Sequence, residues 1–162
     1  MLVFFTSLAA GLLFTWLVFP RLGDATSGID PDGYGAAGQV LYQTGRFDDL
    51  HKAPLYPVFV ALVCWTAGGC SLAALQFAQC LLAALACAVL YLLFRRTLRP
   101  PQAALPAALA CAVYPMLLWY VPRLWTETFL TLMLAVFSLA LAALLQDADA
   151  DRALQPGAGL AA

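Results

Sequence analysis

The sequence predicts an all-α integral membrane protein with about four transmembrane helices, an amphipathic juxtamembrane helix and a short re-entrant or interfacial segment. Three observations carry this. Of the 162 residues, 64% are hydrophobic and 10% charged, and mean hydropathy is +0.85, whereas a soluble globule is nearer half apolar and a quarter charged. Long uncharged runs, 1–20 and 53–94, flank a polar stretch. The few charges gather at the ends of these runs, and a net charge of −1 from 8 basic and 9 acidic residues points to no nucleic-acid partner.

Residues 1–20 lack the basic start and small-residue cleavage site of a signal peptide, so they read as a retained first span. The loop 21–52 then holds five of the nine acids and three of the eight bases. The 42 uncharged residues 53–94 would make about 63 Å of helix, too long for one crossing of a ~30 Å core. Gly68-Gly69-Cys70-Ser71 breaks the run, and 72–94 is a span ending in Arg95, Arg96 and Arg99. The piece before the break, 53–67, is only about 22 Å as helix, and Pro54 and Pro57 stiffen its entry. By length alone it is either a short tilted span or an interfacial segment. Charge favours the second. The loop 95–102 has three arginines and no acid, which places it in the cytoplasm. With 1–20 leading outward, 72–94 runs inward only if the juxtamembrane segment 53–67 does not cross.

A third span, 103–120, returns outward with Pro106 and Pro115 as tolerated kinks. The turn 121–127 lies outside, and a fourth span, 128–145, goes back in. The tail 147–162, rich in Ala, Asp and Gly, is expected to be disordered in the cytoplasm. Cys64, Cys70, Cys80, Cys87 and Cys111 all fall in apolar stretches and read as small hydrophobes rather than as disulfide or metal ligands. Together these features describe a multi-pass protein of the cell (plasma or inner) membrane, with the lipid bilayer as its first partner.

Within the outer loop, Asp30-Pro31-Asp32-Gly33-Tyr34 carries a helix-start pattern, with Asp30 as N-cap, Pro31 at the first helical position and Gly45 to stop the helix. Tyr34, Ala37 and Leu41 share one face with Val40 beside them, which predicts an amphipathic helix on the membrane surface. Capping explains Asp30 without chemistry. The topology supplies a second reading, because it gathers Asp30, Asp32, Lys52, Arg123 and Glu127 on one face of the membrane. Acids and bases over an uncharged bundle suit a polar or anionic group at the end of a lipid. Glu127 stands out, since an ionisable residue so near a span is costly. Its alternative is a boundary carboxylate paired with Arg123 at i, i+4. The glycine-rich run 33–38 lacks a preceding strand and a following Lys-Ser/Thr, so it reads as close helix packing and not as a phosphate cradle. His51 reads as a solvated loop residue, and Trp16, Trp65, Trp119 and Trp125 as interfacial or packing aromatics.

Four features in order resemble the GT-C membrane glycosyltransferases, specifically the family-39 and aminoarabinose-transferase-like group. They are a first span followed by Asp30-x-x-Gly33-Tyr34, then Leu41-x-x-x-Gly45-Arg46-Phe47, then Lys52-Ala53-Pro54-Leu55-Tyr56-Pro57 before an apolar segment ending in Gly-Gly, and Tyr114-Pro115 followed by Thr126-Glu127. Members of that group are far longer, so the chain resembles their N-terminal portion, and alone it is expected to be inactive. The resemblance implies an inverting transfer of sugar from a polyprenyl-phosphate donor to an acceptor glycan, lipid or protein on the outer face. It implies Asp30 as catalytic base, with Asp32 as the fallback two residues on. It also implies Glu127 as a second catalytic acid that orients the acceptor or binds a divalent metal ion, the one cofactor option. Lys52 matches a residue that contacts the donor phosphate, although Ala53 separates it from the proline that follows directly in some relatives. Arg123 joins the donor phosphate site by its position alone. The competing class is a non-catalytic small membrane protein or a truncated, inactive reading frame. A transporter fits less well, because the charges lie outside the spans.

Overall fold

A computed structural model of the chain describes residues 1–22, 28–47, 49 and 51–154. The described residues are helical or lie in turns and connections. The first span is α1 (Leu2–Leu13), continued by a π-turn (Phe14–Val18) and a 3₁₀ turn (Phe19–Leu22). After the loop come α2 (Tyr34–Thr44), α3 (Leu55–Thr66) and α4 (Leu72–Thr97). A 3₁₀ turn (Pro101–Ala103) leads into α5 (Ala104–Ala112), α6 (Pro115–Tyr120) and α7 (Glu127–Leu154).

Three helical stretches are long and apolar enough to cross a membrane, Leu2–Leu22, Leu72–Thr97 and Glu127–Ala148. The expected span 103–120 is instead a broken helix. Val113 and Tyr114 leave the helical path, and Pro115 opens α6 at its first position, where its missing amide costs least. What reads as a tolerated kink is therefore a full interruption.

The central element is α4, which packs against α1, α5 and α7. Against it α1 lays a stripe of small buried residues, Ser7, Gly11 and Thr15, spaced by four so that the backbones approach closely. Thr15 Oγ1 lies 3.7 Å from Cys80 Sγ, and a Cβ on Gly11 would stand 3.5 Å from the same sulfur. The bundle has two chemically different ends. At one, Gln146 Nε2 donates to the Arg96 carbonyl at 3.1 Å, beside Arg95 and Arg99. At the other lie Phe19, α2, α3, the start of α4 and the turn 121–126. Both ends of α3 stay there, Tyr56 beside Gln79 and Cys64 bonded to Cys70 just before α4.

That bond corrects the reading of all five cysteines as small hydrophobes. Gly68, at φ 69°, turns the chain back after α3, bringing the Cα atoms of Cys64 and Cys70 to 4.5 Å in a disulfide. Cys80 and Cys87 are buried like apolar side chains, and Cys111 is half-buried. At the other terminus, α7 runs on to Leu154, so 147–154 is helical where disorder is expected. Its alanines favour continuation of a helix already nucleated in the bundle. Residues 155–162 lie outside the described residues.

Candidate functional site

The acid-bearing end is built from the loop before α2. Gly33 takes φ 70°, and its amide donates to the Asp30 carbonyl at 3.2 Å, closing a turn across Pro31 and Asp32. The helix therefore begins at Tyr34 and not at Pro31, with Gly33 rather than Asp30 at the cap position. Asp30 still serves the helix end, from outside it. Its two carboxylate oxygens accept the amides of Gly35 at 3.0 Å and Ala36 at 2.9 Å, donors that a helix start leaves unpaired. Gly45, at φ 68°, ends α2 as the sequence pattern requires. The tightly packed face of α2 is Gly35 and Gly38, both buried, so the glycine run does serve close packing.

Lys52 stands beside the turn, where a Cβ on Gly33 would lie 3.7 Å from its Nζ, and it forms an ion pair with Asp49. The Asp49 hydrogen bond raises the Lys52 pKa above its ordinary value. Conversely, the Lys52 hydrogen bond, with the His51 amide, lowers that of Asp49. A groove of about 610 Å³ runs beside α2, edged by Ala37, Val40, Phe47, Asp49, His51 and Lys52. Asp32 is exposed at the mouth of the turn.

Arg123 and Glu127 do not pair. The i, i+4 relation needs a helix, and 121–126 is a turn. Arg123 instead lays its guanidinium over Trp119, with the ring centroid at 4.1 Å, and beside Trp125 and Phe19 at 5.2 and 5.5 Å. Glu127 points the other way, into a narrow cavity of about 30 Å³ between α1, α4 and the α5–α7 stretch, shared with Ser7, Thr128 and Thr131. Its Oε2 is buried there with no hydrogen-bond partner. Among the described residues no group of three or more His, Cys, Asp or Glu is placed to hold a metal ion.

The two halves meet at Tyr56, Gln79 and the turn. The Leu124 amide donates to the Ile29 carbonyl at 2.6 Å. Tyr56 is buried with its ring edge-on to Tyr34 and Phe129, and its hydroxyl accepts from Gln79 Nε2 at 2.7 Å. Burial first, then the charges of Asp30 and Glu127, push the Tyr56 pKa up, so the phenol keeps its proton. The sequence assigns no role to Tyr56, Asp49, Gln76 or Gln79, although Tyr56 stands within the Lys52–Pro57 feature of the resemblance. The glutamines left a signal, two amides three residues apart in a run without charge.

A family model described as dolichyl-phosphate-mannose-protein mannosyltransferase matches residues 51–162. The match takes in Lys52, Arg123 and Glu127 and begins after Asp30 and Asp32. Neither a curated protein nor a solved structure matches the chain.

Proposed function

The chain belongs to the dolichyl-phosphate-mannose-protein mannosyltransferase family, and from that premise we propose that it moves a sugar from a polyprenyl-phosphate donor to an acceptor on the outer face of the membrane. Membership makes it a membrane glycosyltransferase of the GT-C type, working with a lipid-linked sugar. The donor, the side and the residues are our reading. Asp30 takes the proton from the acceptor hydroxyl or amine as that atom attacks the anomeric carbon. The lipid phosphate leaves from the opposite side with inversion, met by Lys52 and Arg123, while Glu127 orients the acceptor and Asp32 is the fallback base.

One observation carries this reading: the loop that ends at Asp30 and the turn that leads into Glu127, 97 residues apart in sequence, are joined at one end of the bundle by the hydrogen bond from the Leu124 amide to the Ile29 carbonyl. The Cys64–Cys70 disulfide at that end supports placing it outside, where disulfides persist. The cavity at Glu127, about 30 Å³, is an order of magnitude below the roughly 300 Å³ of a small-molecule site. The groove beside Lys52 is larger, about 610 Å³, but neither Arg123 nor Glu127 lines it, so it does not bring the proposed site together, and the chain purified alone is expected to be inactive. The rival, a non-catalytic membrane protein, draws on one fact: Asp30 and Lys52 are both engaged, by helix amides and by Asp49.

The test is transfer from a radiolabelled polyprenyl-phosphate sugar in membranes of the native cell. Asp30→Asn is expected to lower turnover by about 100-fold or more, the scale of general base catalysis, with insertion intact. Near-normal turnover would overturn the role of Asp30, and loss confined to Asp32→Asn would move the base by two residues.

A further inference from the structure

We infer that Gln76 and Gln79 are positioning residues of the transfer site, a pair of buried amides that clamp the turn before α7 and so set where Glu127 stands. The clamp's bearing on catalysis rests on the glycosyltransferase reading; its geometry does not.

Burying a side-chain amide without hydrogen bonds is costly, because the water it gives up is not replaced. Gln76 and Gln79 are 8% and 0% exposed, three residues apart on the face of α4 that meets the turn, so both carry that cost unless bonded. The turn needs donors. Residues 121–126 leave the helical path between α6 and α7, and backbone carbonyls released from a helix and buried must find donors within the protein. Gln76 Nε2 donates to the Pro122 carbonyl at 2.9 Å. Gln79 Nε2 reaches the Arg123 carbonyl at 2.8 Å and the Trp125 carbonyl at 3.3 Å. Two side chains thus hold the carbonyls of Pro122, Arg123 and Trp125, which fixes the direction in which the chain enters α7, two residues before Glu127.

Gln79 also ties in the other half. Its amide has two N–H groups and three acceptors, the nearest being the Tyr56 hydroxyl at 2.7 Å. Through Tyr56 the clamp reaches α3, whose start follows Lys52 by three residues. One amide therefore registers the Lys52 side of the site against the Glu127 side. An apolar residue at 79 would fill the space but remove both N–H donors from the Tyr56 hydroxyl and the Arg123 and Trp125 carbonyls that share them.

The test uses the native membrane and the variants Gln79→Leu, Gln76→Leu and Tyr56→Phe. Transfer kinetics give the first readout. The second is the electron-spin distance between labels at Gln39 on α2 and Leu130 on α7, in a background lacking Cys80, Cys87 and Cys111. For Gln79→Leu we expect kcat to fall about tenfold or more, as misplaced reacting groups do, with donor KM little changed and the distance distribution broadened. Tyr56→Phe keeps the ring packing and should show the same pattern more weakly, so it decides the matter if Gln79→Leu fails to insert. An unaltered distance distribution in all three variants, or a broadened one with unaltered kcat, overturns the clamp. If the unmodified protein transfers no sugar, the glycosyltransferase reading fails by itself, and the distance measurement still judges the geometry.

Discussion

The amide of Leu124 donates to the carbonyl of Ile29 at 2.6 Å. A backbone bond between the loop before α2 and the turn before α7 requires both to lie on one side of the membrane, with an even number of crossings between them. Cysteines placed singly at Thr44, Thr126 and Thr97, in a background lacking Cys80, Cys87 and Cys111, should respond differently to an impermeant thiol reagent on intact cells. Positions 44 and 126 should label and 97 should be protected. Labelling of 44 and 126 from opposite faces would dissolve the shared site.

The disulfide makes a counting prediction. Alkylation of the denatured chain without reductant should modify three thiols, those of Cys80, Cys87 and Cys111, and five after reduction. Closing so short a loop should stabilise the α3–α4 corner by roughly 2 kcal/mol, read as a lower melting temperature when Cys64 and Cys70 are both changed to Ser. Five reactive thiols before reduction would return the pair to the apolar role that their surroundings suggest.

Spans were legible because they rest on uncharged length, which residues 1–20 and 72–94 display directly. Breaks were less so. Pro115 is visible in the sequence, yet whether it kinks or ends a helix depends on what surrounds Val113 and Tyr114, and that is tertiary information. The start of α2 slipped from Pro31 to Tyr34 because two local preferences compete over the same four residues, an acid before proline and a glycine at φ 70°. Asp30 kept its partners, the helix amides, while its position in the helix changed. The Arg123–Glu127 pair failed for the reason the Cys64–Cys70 pair was missed: spacing in sequence becomes proximity only through the intervening turn.

Close packing between α2 and α3 gives a stability test. A Cβ on Gly38 would lie 2.4 Å from the Val60 Cβ and 3.0 Å from the Pro57 carbonyl, and neither is the yielding tip of a side chain. Ala in place of Gly within a helix normally gains about 1 kcal/mol, but overpacking costs about 1–3 kcal/mol. Gly38→Ala should therefore destabilise, and α2 should lift from α3. Thermal unfolding in detergent measures this, with Gly69→Ala as the comparison, since a Cβ there meets nothing within 4 Å. A higher melting temperature for Gly38→Ala would mean the helices do not approach this closely.

Lys52 separates binding from chemistry. Its ammonium would meet the donor phosphate in ground state and transition state alike, which is uniform binding, so Lys52→Ala should raise the donor KM with little change in kcat. The Asp49 carboxylate competes for the same ammonium, so Asp49→Asn should lower that KM. The pH dependence follows in sign. Because Asp49 raises the Lys52 pKa, the charged form persists below that raised value and is lost only as pH climbs through it. The Lys52 share of donor affinity, the KM ratio of Lys52→Ala to the unmodified protein, should then stay flat between about pH 6 and 9. A lower kcat at unchanged KM in Lys52→Ala would show instead that the ammonium acts on the departing phosphate, and that its bond to Asp49 opens during the reaction.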